Sequence, residues 1–125
     1  MSAIKIEKLD KTYPAQPPVH ALDKIDLDVH AGEFVALLGP SGCGKTTLLN
    51  LVAGFEQASG GSLTVHGQTV EKPGPDRGVV FQEAALFPWL TVWENVIFGP
   101  KTQGLKASDY EARANDMLRI VGLSD

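Results

Sequence analysis

The fold is decided by the stretch Gly39-Pro40-Ser41-Gly42-Cys43-Gly44-Lys45-Thr46. It fits the pattern G-x-x-x-x-G-K-[ST], a phosphate-binding loop (P-loop) when a strand precedes it and a helix follows it. Residues 34–38 (FVALL) precede it and form an apolar run without alternation, which is typical of a parallel strand covered on both faces. Residues 46–53 have a helix-like composition, and Gly54 can end that helix. The sequence therefore predicts a strand, a glycine-rich loop and a helix in succession.

The residue types in this loop suit the binding of a phosphate group. Gly39, Gly42 and Gly44 have no Cβ, so the backbone can curl closely around an anion and point its N–H groups inward. The positive end of the following helix faces the same place. Lys45 adds a full charge for the β- and γ-phosphates, and Thr46 offers a hydroxyl to Mg²⁺. The alternative is a chance glycine-rich turn, which the flanking strand and helix disfavour.

Composition restricts the class of protein. The chain has 125 residues, enough for one modest domain but short for a complete nucleotide-hydrolysing machine. The net charge of −4, without a basic block, argues against a nucleic-acid surface. A single cysteine excludes an internal disulfide and suits a reducing cytoplasm. No apolar run approaches the ~20 residues of a membrane span.

Alternation of apolar and polar residues predicts several strands. Residues 4–7 alternate over a short run, and residues 25–30 alternate more cleanly, as in an antiparallel strand with one wet face. Residues 63–66 give another strand, which Gly67 ends. Residues 78–81 (GVVF) are interpreted as a short buried strand.

Two more helices are expected towards the end of the chain. Residues 91–98 could form one or two helical turns. Ser108 and Glu111 match a capping box, and the apolar residues that follow recur at helical spacing as far as Val121. Gly122 can end that helix.

Three motifs together resemble those of ATP-binding-cassette (ABC) ATPases. Residues 11–14 (KTYP) resemble their aromatic loop, residues 39–47 (GPSGCGKTT) resemble their Walker A segment, and residues 79–83 (VVFQE) resemble their Q-loop. More narrowly, residues 76–82 and 86–96 resemble the ATPases of nitrate, sulfonate and taurine importers.

The resemblance implies a role for each matching residue. Tyr13 should stack on adenine, and Lys45 should hold the β- and γ-phosphates. Thr46 should bind Mg²⁺, Thr47 should reach the α-phosphate, and Gln82 should contact Mg²⁺ or the attacking water. Without the resemblance, Tyr13 could simply cap a strand edge, and Gln82 could be an ordinary turn residue.

The resemblance also implies an α/β fold. It is a P-loop NTPase (ABC ATPase) core with an N-terminal antiparallel β subdomain, plus the start of the RecA-like core and of the helical subdomain. We expect a single partial nucleotide-binding domain over residues 1–125, divided near residue 82. The L-S-G-G-Q signature, Walker B and the switch histidine are absent. The chain is therefore expected to be the N-terminal part of a longer ATPase and to hydrolyse no ATP alone.

Cofactors and partners follow from the same resemblance. ATP and Mg²⁺ are the expected cofactors, and a second copy of the ATPase and two integral membrane permease subunits are the expected partners, with a solute-binding protein acting indirectly. The cytoplasmic face of the membrane is the expected location. The cargo would be a small anion, with taurine or another sulfonate ahead of nitrate. A non-transport ABC ATPase acting on DNA or ribosomes, or an inactive nucleotide-binding fragment, stays open as an alternative.

Apolar surface is expected in two places. Phe87, Pro88 and Trp89 could line a groove that receives a short helix from the membrane subunit, while Trp93 suits a small core. The apolar strand at residues 34–38 would have open edges, so the chain alone is expected to be poorly soluble or partly folded. His20, His30 and His66 show no metal-ligand spacing and are interpreted as surface residues.

Overall fold

The computed structural model describes residues 1–124, which contain four strands and three helices. The chain forms two units. The first comprises Met1–Val80, and the second begins at Phe81.

The first unit is built on an antiparallel sheet with the strand order β2-β1-β3-β4. Its strands are β1 (Ser2–Tyr13), β2 (Val19–His30), β3 (Gly60–Val65) and β4 (Gln68–Thr69). Strand β1 pairs with β2 on one side and β3 on the other, so it forms the centre of the sheet. The three strands predicted from alternation are confirmed.

One helix, α1 (Lys45–Ala53), packs on this sheet. Leu48 and Leu51 of the helix join the apolar residues of the sheet in a single buried cluster, because they lie three residues apart and so share one face. The cluster consists of Ile6, Leu9, Leu22, Leu48, Leu51 and Leu63. Gly54 follows the helix with a left-handed φ of 86° and ends it as predicted.

The predicted buried strand at residues 34–38 is wrong. These residues have no strand structure, and Phe34 and Leu38 are 94% and 93% exposed. The strand predicted at residues 78–81 is wrong as well, since the segment is irregular and Val80 is 99% exposed. Every strand pairing within residues 1–124 is antiparallel, so neither run has a parallel neighbour to satisfy its backbone hydrogen bonds.

The second unit contains α2 (Val92–Thr102) and α3 (Ala107–Ile120). Helix α2 is longer than the predicted turns at 91–98, and a capping box begins it. The Thr91 hydroxyl accepts from the Glu94 N–H at 3.1 Å, and the Glu94 carboxylate accepts from the Thr91 N–H at 2.7 Å.

The predicted capping box of Ser108 and Glu111 is wrong. Helix α3 begins at Ala107, so Ser108 lies inside the first turn. Asp109 caps instead, with its carboxylate accepting from the Lys106 N–H at 3.2 Å. Gly122, with a φ of 79°, follows the helix end as predicted.

The segment before α2 packs through aromatic rings and one amide. The ring of Phe87 lies 5.4 Å from that of Trp89 and 4.5 Å from that of Phe98, measured between centroids. The Asn95 side chain accepts from the Phe87 N–H at 2.9 Å and donates to the Leu90 carbonyl at 3.3 Å. These contacts leave Trp89 76% exposed, and the docking groove at residues 87–89 stays a prediction.

Candidate nucleotide-binding site

The P-loop is a tight turn that leads directly into α1. Gly42 and Gly44 have φ values of 81° and 95°, a region that favours glycine. A Cβ on Gly44 would lie 2.7 Å from the Ala21 carbonyl oxygen and 2.9 Å from Cδ2 of Leu22. At Gly39 an added Cβ would lie 2.7 Å from the Cys43 sulfur. Glycine therefore lets the loop lie directly against β2 and close on itself.

The N-terminus of α1 differs from those of the other helices in residues 1–124. Its N-cap makes no side-chain hydrogen bond and its first turn contains no acidic residue, whereas the first turns of α2 and α3 contain Glu94 and Asp109. The Leu48 N–H makes its helical bond to the Gly44 carbonyl at 2.9 Å, and the N–H groups of residues 45–47 precede that bond. Because the first turn has no acidic side chain to neutralise it, this positive helix end can bind an external anion.

Lys45 folds back over the loop that precedes it. Its ammonium donates to the Gly39 carbonyl and, at 3.4 Å, to the Pro40 carbonyl. Both partners are neutral, so a phosphate oxygen could displace them and form a stronger, charge-assisted bond.

The remaining loop residues point mostly to solvent. Pro40, Ser41, Cys43 and Thr46 are exposed, and Cys43 is a free thiol. Thr47 is half-buried, and its hydroxyl lies close enough to the Tyr13 phenol to lower the pKa of that phenol.

Tyr13 lies at the end of β1, near Thr47 in the first turn of α1. Its hydroxyl also donates to a carboxylate oxygen of Glu56 at 2.6 Å, and the Lys11 ammonium lies 5.0 Å from the ring centroid. The Glu56 hydrogen bond raises the pKa of the Tyr13 phenol, and the nearby Thr47 hydroxyl opposes this rise. The structure thus brings the predicted aromatic residue and the P-loop helix together.

Sequence analysis did not identify Glu56. An acidic residue just after a helix matches no motif, and such residues are common on protein surfaces. Gln82 lies in the second unit and is exposed. Its role at the nucleotide stays a prediction.

Thr46 is the residue of the P-loop that is expected to hold Mg²⁺. Among residues 1–124 no group of three or more His, Cys, Asp or Glu side chains could bind a metal ion. Mg²⁺ commonly binds few protein groups and relies on phosphate oxygens and water. The exposed hydroxyl of Thr46, on the first turn of α1, fits that mode.

The glycine loop, the open helix end and the adjoining antiparallel sheet define a P-loop nucleotide-binding fold. Comparison with known families makes the assignment more specific. The family model described as ABC transporter matches residues 22–125, and the chain belongs to that family.

The chain is similar to proteins named taurine import ATP-binding protein TauB. It is 46% identical to the one from Jannaschia sp. (strain CCS1) over 127 residues, which cover 100% of this chain and 47% of the relative. It is 51% identical to that of Rhizobium johnstonii over 107 residues, which cover 86% of this chain and 41% of the relative. The chain thus spans about half the length of these curated relatives.

A solved structure supports the fold. A dimeric, post-hydrolysis state of the ATP-binding cassette MJ0796, bound to ADP and Pi, matches with a TM-score of 0.78 at 28% identity. The match covers 93% of this chain and 56% of that one. The predicted α/β fold of an ABC ATPase is confirmed.

Proposed function

We propose that the protein is the ATP-binding subunit of an importer, and that residues 39–47 bind the phosphates of Mg·ATP while Tyr13 stacks on the adenine. The observation that carries this proposal is the open N-terminus of α1. It follows a loop of left-handed glycines, its first turn contains no acidic residue, and the Lys45 ammonium next to it is bonded only to neutral carbonyls among residues 1–124.

The phosphate contacts divide among few groups. The amides of the loop and of the first turn of α1 donate hydrogen bonds to phosphate oxygens. Lys45 binds the β- and γ-phosphates, and Thr47 binds the α-phosphate. Mg²⁺ would be held by Thr46, with Gln82 contacting it or the attacking water. When bound, the ion would neutralise charge that develops on the phosphate oxygens.

Hydrolysis and transport are proposed for an ATPase of the relatives' full length, of which this chain spans about half. There ATP would lie between two copies, which agrees with the dimeric description of the cassette MJ0796. The chain itself is proposed to bind nucleotide without turnover. Two integral membrane permease subunits and, indirectly, a solute-binding protein are the proposed partners. Among residues 1–124 no helix is long and apolar enough to cross a membrane. The proposed location is peripheral, on the cytoplasmic face.

Taurine is the proposed cargo. The support is that relatives 43–51% identical to this chain are named taurine import ATP-binding proteins. A sulfonate other than taurine, or nitrate, is the next choice. Uptake of labelled taurine by cells that carry a Lys45→Ala change in the gene should fall to background, while nitrate uptake stays. If nitrate uptake falls and taurine uptake stays, nitrate replaces taurine as the proposed cargo.

Nucleotide binding is tested directly by calorimetric titration with ATP, with and without Mg²⁺. Lys45→Ala should weaken binding about 10- to 150-fold, because a hydrogen bond to a charged group contributes about 1.5–3 kcal/mol. Lys5→Ala is the matched control, since Lys5 is exposed and pairs with Glu7 at 3.1 Å. Equal affinity of the Lys45→Ala variant and the parent would refute the proposed site.

A further inference from the structure

The segment that follows α1 holds the end of β1 through side chains. Glu56 accepts from the Tyr13 hydroxyl at 2.6 Å, and the Gln57 carbonyl accepts from the Lys11 ammonium at 2.6 Å. The Ser59 hydroxyl accepts from the Thr12 N–H at 2.9 Å. Three successive residues of β1 are therefore tied to one short loop, across more than 40 positions of sequence.

The bond between Glu56 and Tyr13 limits the freedom of the ring. A tyrosine ring moves about two side-chain torsions, and holding its hydroxyl at the far end restricts both. The carboxylate is a strong acceptor, and the separation of 2.6 Å is that of a charge-assisted bond. Both side chains are half-buried, so water competes less for this bond than at an open surface.

The two faces of the ring are not equivalent. The Lys11 ammonium lies over one face at 5.0 Å from the centroid and is itself held by the Gln57 carbonyl. A stacked base would take the other face. Because Glu56 limits the orientation of the ring, it also limits the direction in which that second face points.

We infer that Glu56 is a positioning residue, which fixes the Tyr13 ring for stacking on the base of a nucleotide without touching the nucleotide itself. This inference rests on the proposed function, because it requires that Tyr13 stacks on the base.

The alternative to positioning is a purely structural role of Glu56 in holding α1. Glu56 lies three residues after the end of α1, so its loss could also disturb the P-loop at the other end of the helix. Inorganic tripolyphosphate distinguishes the two possibilities, since it presents the phosphates without a base. A positioning role predicts an effect on ATP alone, whereas a disturbed helix predicts an equal effect on both ligands.

The test is titration of the purified protein with Mg·ATP and with Mg·tripolyphosphate. Glu56→Ala should weaken ATP binding about fivefold and change tripolyphosphate binding less than about twofold. Glu56→Gln keeps an acceptor oxygen and should restore most of the ATP affinity. Tyr13→Phe removes the hydroxyl and should match Glu56→Ala, and the double variant should lose no more than either single one. Glu71→Ala, at an exposed carboxylate in the same unit, controls for the change in charge.

The outcomes separate the two claims. Equal weakening of both ligands by Glu56→Ala, no weakening of either, or additive losses in the double variant would overturn the positioning role. If Lys45→Ala weakens neither ligand in the same assay, the proposed function itself fails. If Lys45→Ala weakens both and Glu56→Ala weakens neither, only the present inference fails.

Discussion

The guanidinium of Arg77 donates to the carbonyl oxygen of Val52, in the last turn of α1, with 2.9 Å between nitrogen and oxygen. A second nitrogen of the same group donates to the Lys72 carbonyl at 2.8 Å, and the side chain is only 14% exposed. A Cβ on Gly54 would lie 2.4 Å from that same carbonyl. The loop of residues 72–77 therefore lies directly on the end of the P-loop helix, where a cation satisfies an otherwise unpaired carbonyl.

Replacing Arg77 by Gln should loosen α1. The change removes two hydrogen bonds from a largely buried cation, and the carbonyls left behind cost about 1–3 kcal/mol. Amide hydrogen exchange in α1 should accelerate by about 5- to 150-fold. The control is Lys5→Gln, at a side chain that is 51% exposed, which should leave exchange in α1 unchanged. Unchanged exchange in the Arg77→Gln variant would show that the contact contributes nothing to the helix.

The two left-handed glycines of the P-loop should respond differently to alanine. At Gly42 a Cβ would meet no atom within 4 Å, so only the backbone strain of about 1–2 kcal/mol remains. At Gly44 the same strain is joined by contacts with Ala21 and Leu22. Gly44→Ala should therefore lower the denaturant midpoint of the first unit clearly more than Gly42→Ala. Equal midpoints for the two variants would contradict the packing of the loop against β2.

The local features of the fold could be predicted from sequence because their causes are local. The P-loop pattern, the alternation of residues 25–30 and the helix stop at Gly54 each depend on neighbours along the chain. The strands at 34–38 and 78–81 could not be predicted correctly, since a strand exists only with partners, and a run of apolar residues does not specify them.

Several contacts of the caps and of the site could not be predicted from the sequence either. The pattern T-x-x-E at Thr91 forms the capping box of α2, whereas the similar pattern of Ser108 and Glu111 forms none. The bonds of Arg77 to Val52 and of Tyr13 to Glu56 span 25 and 43 positions. Such pairs depend on how the chain folds back on itself, and no periodicity in the sequence records them.

The start of α2 should weaken in acid. Hydrogen bonds from the backbone and side chain of Thr91 hold the pKa of the Glu94 carboxyl below its ordinary value of 4.5. A lowered pKa in the folded state means that the stabilisation is present above the unfolded value and is lost as the pH falls through the folded one. A carbon NMR titration of Glu94 should give a value below 4.5, and Thr91→Ala should raise it. Identical titration curves in the parent and Thr91→Ala would contradict the side-chain part of the cap.

Apolar surface on the first unit should cause the 125-residue chain to self-associate. A groove of about 330 Å³ on this unit includes Phe34, Val35 and Leu49 in its lining, and Phe34 is 94% exposed. Contiguous apolar patches of this kind recruit other protein surfaces. The mass measured by light scattering should rise with concentration, and Phe34→Asp should reduce that rise. Leu105→Asp is the control, because Leu105 is a 49% exposed residue of the second unit. A constant monomer mass at all concentrations, or equal effects of the two substitutions, would show that the groove does not drive association.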